Sequence, residues 1–479
     1  MKGKRLLLLL VLFSLSSCTG ERANSFSKRP SSTQNQISSS SNESSLSISS
    51  ASSIPTSSSG KSSSSSLPIG TYYHLDTDAI LFKDDDGEYA KIYLDVPKSY
   101  LSFDNPSNSF SKKLALASLL FVAEAPFEEK ILNLYDFFDF EDLLISPDYS
   151  LDERDDTLKY VIGTKEYEDF RLINVTLAGY DYFKPWKNNF AIGTSGNHEG
   201  FQNAALAFLP TIVQYIRAHG NETTKVYING YSRSAAIGNI VSTFLLDSNF
   251  LEEEDLYAYL FETPKGIDIA KSNVYRSIFN IINSADIITY LSPEQYGHKR
   301  AGIDIDINKA NAETIVSSYN EEILINDFSA SANYSSDVEF IDYFINSLIS
   351  SDSSSVFSTR QNYHANVEPS LTYLIELIFS LDEDEISDLT DSFLSLDLQG
   401  MLSLLSDNGA YNFLSSFLDE HDVTYEEEEL NTAIETVVSI IKDRPDLLAN
   451  VSNQGFINDL TRSIYFHTLE TVIPLVNAL

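Results

Sequence analysis

The chain has 479 residues and a formal net charge of −37, from 69 acidic and 32 basic side chains. This charge argues against nucleic acid as a partner, because phosphate binding needs a basic surface, and it would also repel an anionic lipid surface. The single cysteine excludes an internal disulfide framework, so the chain must be stabilised by a hydrophobic core of its own.

Residues 1–18 predict a lipoprotein signal peptide. Lys2, Lys4 and Arg5 form a positive start, and residues 6–15 form an apolar run too short to span a bilayer. The sequence Leu-Ser-Ser-Cys that ends at Cys18 resembles a bacterial lipobox, in which the cysteine is lipidated. We therefore expect export and anchoring to the outer face of the cell membrane through Cys18. The alternative is a general signal peptide with an incidental cysteine.

Residues 19–66 are mostly serine, with asparagine, threonine and proline. Such a composition cannot bury enough apolar surface to offset the entropy lost on ordering. The segment is therefore predicted to be a disordered tether, with a reach of roughly 35–40 Å by flexible-linker scaling.

Residues 67–310 predict an α/β core. Helical periodicity covers residues 112–125 and 201–219. The β-prone runs are residues 172–177, 226–229, 257–261 and 278–282. This alternation indicates a mostly parallel sheet with helices on its faces. Residues 311–455 carry helical patterns and predict a helical extension or cap, and residues 456–479 predict a C-terminal helix that belongs to the core.

The stretch from 226 to 236 predicts a strand, a sharp turn and a helix, with Ser232 at the turn. This is the geometry of a nucleophile elbow, usually Gly-x-Ser-x-Gly. Here Gly230 fits the pattern, and Ser234 stands where the second glycine usually lies. The following helix directs its backbone N–H groups and partial positive charge towards the serine.

A nucleophilic serine needs a histidine base and an acid that orients it, and in α/β-hydrolases the chain order is serine, acid, histidine. The β-prone run at 278–282 leads to Asp286, which fits the acid, although a turn or helix-capping aspartate is the alternative. Four histidines follow Ser232 in the chain: His298, His364, His421 and His467. The spacing leaves both His364 and His467 open as the base.

Several motifs in chain order resemble the class 3 lipase family, and most closely a bacterial lipase-like lipoprotein branch. They are Trp186 with Asn189-Phe190, His198 to Phe201, Gly230 to Ala236, Tyr259 to Pro264, Asn280 to Ile288, and Tyr296 to Gly302. The resemblance implies an α/β-hydrolase core in which Ser232 is the nucleophile and Asp286 the acid. It also implies a base near the C-terminus. The sequence His467-x-x-Glu470 fits that position better than His364.

One segment departs from the family. The usual Arg-Gly-Thr or Arg-Gly-Ser, whose hydroxyl helps to form the oxyanion hole, is replaced here by Ala178-Gly179-Tyr180. The backbone N–H groups of Tyr180 and Arg233 are then the expected oxyanion donors. Loss of one donor typically costs about 10²–10³ in rate, so activity is expected to be weak or redirected.

Together these features predict a serine carboxylic-ester hydrolase that is lipase-like, cleaves acyl esters or lipids, and needs no cofactor or metal. The main alternative is a catalytically inactive surface lipoprotein that uses the hydrolase fold as a binding module. A peptidase or amidase with the same triad is a third hypothesis, because a fold does not determine which bond is cleaved.

Overall fold

The computed structural model describes residues 71–83, 89–147, 158–178, 186–271, 273–308, 315, 336–349, 356–394, 398–406, 408–442 and 454–479. The predicted signal peptide with Cys18, the predicted tether and Tyr180 lie outside these residues, so those predictions stay predictions.

The described strands and helices follow one another along the chain as listed here. The strands are β1 (Tyr72–Lys83), β2 (Tyr89–Pro97), β3 (Glu141–Ile145), β4 (Lys159–Glu166), β5 (Arg171–Ala178), β6 (Thr224–Tyr231), β7 (Leu256–Phe261), β8 (Ile267–Asp268), β9 (Ile278–Ile282), β10 (His298–Lys299) and β11 (Ile303–Asp306). The helices of the first part are α1 (Lys112–Glu124), α2 (Glu128–Phe137), α3 (Trp186–Phe190), α4 (Glu199–His219) and α5 (Arg233–Asp247). Those of the second part are α6 (Asp337–Leu348), α7 (Arg360–Asn366), α8 (Glu368–Ser380), α9 (Glu383–Leu394), α10 (Leu398–Leu404), α11 (Gly409–Glu420), α12 (Glu427–Lys442), α13 (Gln454–Tyr465) and α14 (Leu469–Ala478).

A seven-stranded sheet with the order β11-β9-β7-β6-β5-β4-β3 forms the centre. Strands β5, β6, β7, β9 and β11 run parallel, and β4 and β3 add an antiparallel edge. Strands β7 and β9 are buried at every position, which suits parallel strands that are covered on both faces. The predicted α/β-hydrolase core with a mostly parallel sheet is confirmed.

Alternate residues of the strands point to opposite faces of the sheet. Tyr227 and Tyr259 pack into a core with α1 and α14, whereas Val226 and Leu260 pack into a second core with α4 and α5. A third core joins α6 to α13 and includes Ile287 from the loop after β9. The helical region therefore packs on the end of the sheet where the parallel strands terminate.

The sequence did not predict the antiparallel pair β1–β2 or the edge strands β3 and β4. The four strands that it did predict appear within one or two residues of the expected bounds. In the part of the chain that the structure describes, no helix has both the length and the apolar character needed to cross a membrane.

Candidate active site

Ser232 lies in a strained turn between β6 and α5, with φ 55° and ψ −125°. This conformation is costly for a residue with a side chain and is often found at functional positions. The turn also requires glycine at 230, because a Cβ there would lie 2.8 Å from the Ser234 carbonyl oxygen. The local sequence thus forms the sharp elbow that its pattern predicts.

The structure explains the unusual Ser234. Its hydroxyl donates to the Tyr231 carbonyl at 2.8 Å and accepts from the Tyr231 N–H at 2.9 Å. Both hydrogen bonds close the elbow across Ser232. A serine where glycine is usual therefore stabilises this turn, and the departure from the pattern does not disrupt it.

The fold brings Ser232, His467 and Asp286 into contact. His467 Nε2 lies 2.7 Å from Ser232 Oγ, and His467 Nδ1 lies 2.5 Å from Asp286 Oδ2. The exposed fraction of the residue is 9% for Ser232, 4% for His467 and 0% for Asp286. With an ionised Asp286, Nδ1–H donates to the carboxylate, and Nε2 accepts the serine hydroxyl proton. The serine and the histidine are 235 residues apart in the chain.

Helix α14 carries the turn with His467 back to the sheet. Its residues Val472, Leu475 and Val476 are buried in the core that also contains α1. The Tyr231 hydroxyl donates to the His467 carbonyl at 2.8 Å, so the residue before the elbow serine also holds the backbone of the histidine. Tertiary packing of the last helix therefore sets the position of the imidazole.

Asp286 follows β9 and has two roles at once. Its Oδ1 accepts from the Ile288 N–H at 2.8 Å and caps a short 3₁₀ helix, Ile287–Tyr290, while Oδ2 faces His467. The sequence allowed two interpretations of this aspartate, a capping residue or the acid beside a histidine. In the structure Oδ1 makes the capping contact, and Oδ2 makes the contact with His467.

Glu262 is a site residue that the sequence analysis did not identify. It directly follows β7, is fully buried, and has a left-handed φ of 45°. Its two carboxyl oxygens accept from the Asn283 N–H at 3.0 and 3.2 Å. The signal in the sequence that could have identified Glu262 is its position directly after the apolar strand β7. A charged residue there lies at the same carboxyl end of the parallel strands as Ser232 and Asp286.

Burial dominates the electrostatics of the site. It lowers the pKa of His467 to about 4, so the imidazole is neutral and able to accept a proton near pH 7. Burial, then the charge of Asp286, raises the pKa of Glu262 well above its usual range. Burial also raises the pKa of Asp286.

Ligand atoms of Glu262, Asp286 and His467 lie within 4.8 Å of one another, so the fold creates a set of groups that could bind a cation. The sequence analysis saw no such set, because the histidines are scattered along the chain. Both imidazole nitrogens already face Ser232 and Asp286. A metal ion would therefore have to displace one of these contacts.

The other histidines have different partners. His364 Nδ1 lies 3.0 Å from Glu368 on the neighbouring helix, and His421 stacks on Phe417. His198 Nδ1 accepts from the Phe201 N–H at 3.4 Å and caps α4. None of these contacts in the described structure involves Ser232.

Of the two predicted oxyanion donors, only Arg233 lies in the described part of the chain. It is the first residue of α5 and directly follows Ser232. Its backbone N–H therefore lies at the positive end of the helix dipole. Tyr180 lies outside the described residues, two positions after the end of β5 at Ala178.

Comparisons with known proteins give structural matches only, since no protein-family model and no curated protein sequence matches the chain. A fungal lipase–inhibitor complex, described as a model for interfacial activation, is 15% identical with a TM-score of 0.33; the match covers 41% of this chain and 80% of that chain. The lipase from Rhizopus microsporus var. chinensis is 11% identical with a TM-score of 0.31, covering 44% and 80%. Lipase II from Rhizopus niveus is 13% identical with a TM-score of 0.33, covering 40% and 79%. At these identities the likeness concerns the fold alone.

Proposed function

We propose that the protein is a serine carboxylic-ester hydrolase of the lipase-like type, in which Ser232, His467 and Asp286 act as nucleophile, base and acid. The observation that carries the proposal is the continuous chain of contacts from the elbow serine through His467 to Asp286, at 2.7 and 2.5 Å. Nucleophilic catalysis by serine needs this order of groups at hydrogen-bonding distance.

In the proposed reaction, Ser232 Oγ forms a bond to the ester carbonyl carbon while His467 Nε2 takes the hydroxyl proton. The carbonyl π electrons move to the oxygen, which becomes an oxyanion. When the oxyanion collapses, the bond to the alcohol oxygen breaks, and His467 returns the proton to that oxygen. Water then attacks the acyl-enzyme by the same route and releases the acid. Asp286 holds the Nδ1–H tautomer and stabilises the transient imidazolium.

The oxyanion is proposed to bind the backbone N–H groups of Arg233 and Tyr180. Support for Arg233 comes from its place at the start of α5, where the helix dipole favours negative charge. Acyl esters or lipids are the proposed substrates, by the resemblance to class 3 lipases. We also propose that the protein is exported and anchored to the membrane by a lipid on Cys18, for which the basic and apolar residues 1–18 are the support.

The first test is covalent labelling of the purified protein by a fluorophosphonate, followed by peptide mapping. We expect labelling of Ser232 in the native protein and none in Ser232→Ala. Ser292→Ala is the matched control, because it removes another buried serine that contacts a histidine. A folded native protein that shows no labelling would contradict the proposal and favour the inactive binding module.

A panel of ester, thioester and amide substrates with different acyl lengths then tests the bond that is cleaved. Hydrolysis of esters that is lost in Ser232→Ala supports the proposal, whereas faster cleavage of amides would favour the peptidase hypothesis. Anchoring is tested separately by feeding labelled palmitate to expressing cells. Cys18→Ala should abolish incorporation and release the protein from the membrane fraction.

A further inference from the structure

Two carboxyl groups lie beside His467, and the proposed mechanism uses only one. Glu262 and Asp286 both have 0% exposure, and their oxygens lie within 4.8 Å of each other and of a His467 nitrogen. Both carboxyls cannot ionise together in a buried site, because like charges at this distance repel strongly. The pair must therefore share a proton, and the donors around each group decide which one keeps it.

The surrounding hydrogen bonds assign the proton to Glu262. Asp286 receives two separate donors, the Ile288 N–H at Oδ1 and His467 at Oδ2. Within the described residues Glu262 receives a single donor, because both of its oxygens accept from the same Asn283 N–H. An anion is favoured where more donors converge. Asp286 is thus the better site for the charge, and Glu262 for the proton.

Other charged groups do not change this assignment. Arg300 is a cation whose charge acts on Asp286, but its guanidinium binds the Thr263 and Thr289 carbonyls and the Asp304 carboxylate. Among the ion pairs of the described residues, none includes Glu262, whereas Asp286 pairs with His467. A neutral His467 leaves a charge on Glu262 without an ion-pair partner among the described residues, and a protonated Glu262 avoids that buried charge.

The backbone supplies an independent observation. Glu262 has a φ of 45°, in the left-handed region that is unfavourable for a residue with a side chain. Glycine would relieve this strain, and yet a buried glutamate occupies the position. Persistent strain of this kind is common where a side chain is needed at a functional site.

From these contacts we infer that Glu262 is a positioning residue: its protonated carboxyl donates a hydrogen bond to Asp286 and keeps Asp286 ionised towards His467. The inference deepens the proposed function and rests on it. Burial and the charge of Asp286 also raise the pKa of Glu262, in agreement with this direction.

The inference predicts different effects for two substitutions. Glu262→Gln keeps a neutral donor, so the pH at which His467 titrates should be unchanged. Glu262→Met removes the donor, so Asp286 becomes a stronger acceptor and the His467 titration should move up by about one pH unit. If Glu262 were instead ionised, both variants would remove a negative charge, and the titration would move down.

Two readouts measure this titration. One is NMR of ¹³C-labelled histidine, with the His467 signal assigned by its loss in His467→Gln. The other is the acidic limb of the fluorophosphonate labelling rate. Glu124→Gln is the matched control, since Glu124 is another buried carboxyl that contacts Tyr73 and no member of the site. We expect no shift in this control.

Each outcome decides the question. No shift in Glu262→Gln with an upward shift in Glu262→Met supports the inference. A downward shift in both variants overturns it, and no shift in either means that Glu262 is only structural and also overturns it. If native Ser232 is not labelled at all, the proposed hydrolase function fails, while the NMR titration of His467 still tests Glu262 separately.

Discussion

The described part of the chain contains two buried serine–histidine pairs, and they differ in the groups that surround the histidine. In the first pair Ser232 contacts His467, and in the second the Ser292 hydroxyl contacts His298 Nδ1. Both serines have a left-handed φ, 55° and 58°, and both are at most 9% exposed. Burial lowers the pKa of both histidines to about 4.

The two pairs differ in the group that contacts the second nitrogen of the imidazole ring. His467 faces the Asp286 carboxylate, whereas His298 Nε2 donates to the Gly196 carbonyl at 3.2 Å. The charge of Arg360 further lowers the pKa of His298. An imidazolium at 467 would be stabilised by an anion, and one at 298 would be repelled by a cation. The two pairs thus share a close serine–histidine contact and differ in the third group, which under the proposed function would allow activation of Ser232 and not of Ser292.

The surroundings of Arg360 clarify the second pair. The guanidinium donates to the carbonyls of Gly193, at 2.8 Å, and Gly196, at 2.9 Å, and to three other carbonyls of the same segment. His298 donates to one of the same carbonyls. The Ser292–His298 pair therefore belongs to a network that fixes the segment before α4, and its contacts are those of a structural site.

The largest expected difference between the pairs comes from removing each histidine. His467→Gln should lower the rate of fluorophosphonate labelling by about 10⁴–10⁶, as loss of the base does in serine hydrolases. His298→Gln should keep a rate of the native order, because its serine is not the nucleophile. Labelling kinetics measure both variants, with circular dichroism to check folding. Equal losses in the two variants would remove the distinction between the pairs.

Substitution of Asp286 tests the role of the group that contacts His467 Nδ1. Asp286→Asn should lower the rate by about 10⁴, since the amide favours the wrong imidazole tautomer. Asp268→Asn is the matched change near the second pair, where the Asp268 charge acts on His298. It should leave labelling unchanged. A small effect of Asp286→Asn would show that another group orients His467.

Substitution of one glycine beside each pair tests how closely the local backbone is packed. Gly230→Ala should lower the free energy of unfolding by about 3 kcal/mol, because the added Cβ would lie 2.8 Å from the Ser234 carbonyl oxygen. Gly297 precedes His298 with φ 85° and has no atom within 4 Å of an added Cβ, so Gly297→Ala should cost only about 1 kcal/mol for the left-handed backbone. Urea unfolding measures both, and the reverse order would contradict the packing described for the elbow.

The labelling rate should change most gradually with pH. The base must be neutral, and burial lowers the pKa of His467 to about 4. The labelling rate should therefore stay on its plateau as the pH falls through 6.5, the ordinary histidine range, and drop about tenfold per unit only below about pH 4. A midpoint near 6.5 would mean that the imidazole is not desolvated. Circular dichroism at each pH separates this effect from unfolding.

Local sequence determined four central strands of the sheet, the long helices and the elbow. Strands such as β7 and β9 were predictable because a strand that is buried on both faces is mostly apolar. Gly230 and Ser232 were readable because the turn conformation depends on adjacent residues. The edge strand β3 was not predicted, since its residues are exposed or half-buried and give little periodic signal.

Only the tertiary structure decided which histidine reaches Ser232 and which acids surround it. His364 and His467 are equally plausible by spacing, and the choice depends on how α14 packs in the core with α1. Glu262 and Asp286 lie close together because β7 and β9 are neighbouring parallel strands, and each residue follows the carboxyl end of its strand. Such contacts join residues far apart in the chain. They depend on the summed burial of whole elements and not on any local preference, so no short stretch of sequence contains them.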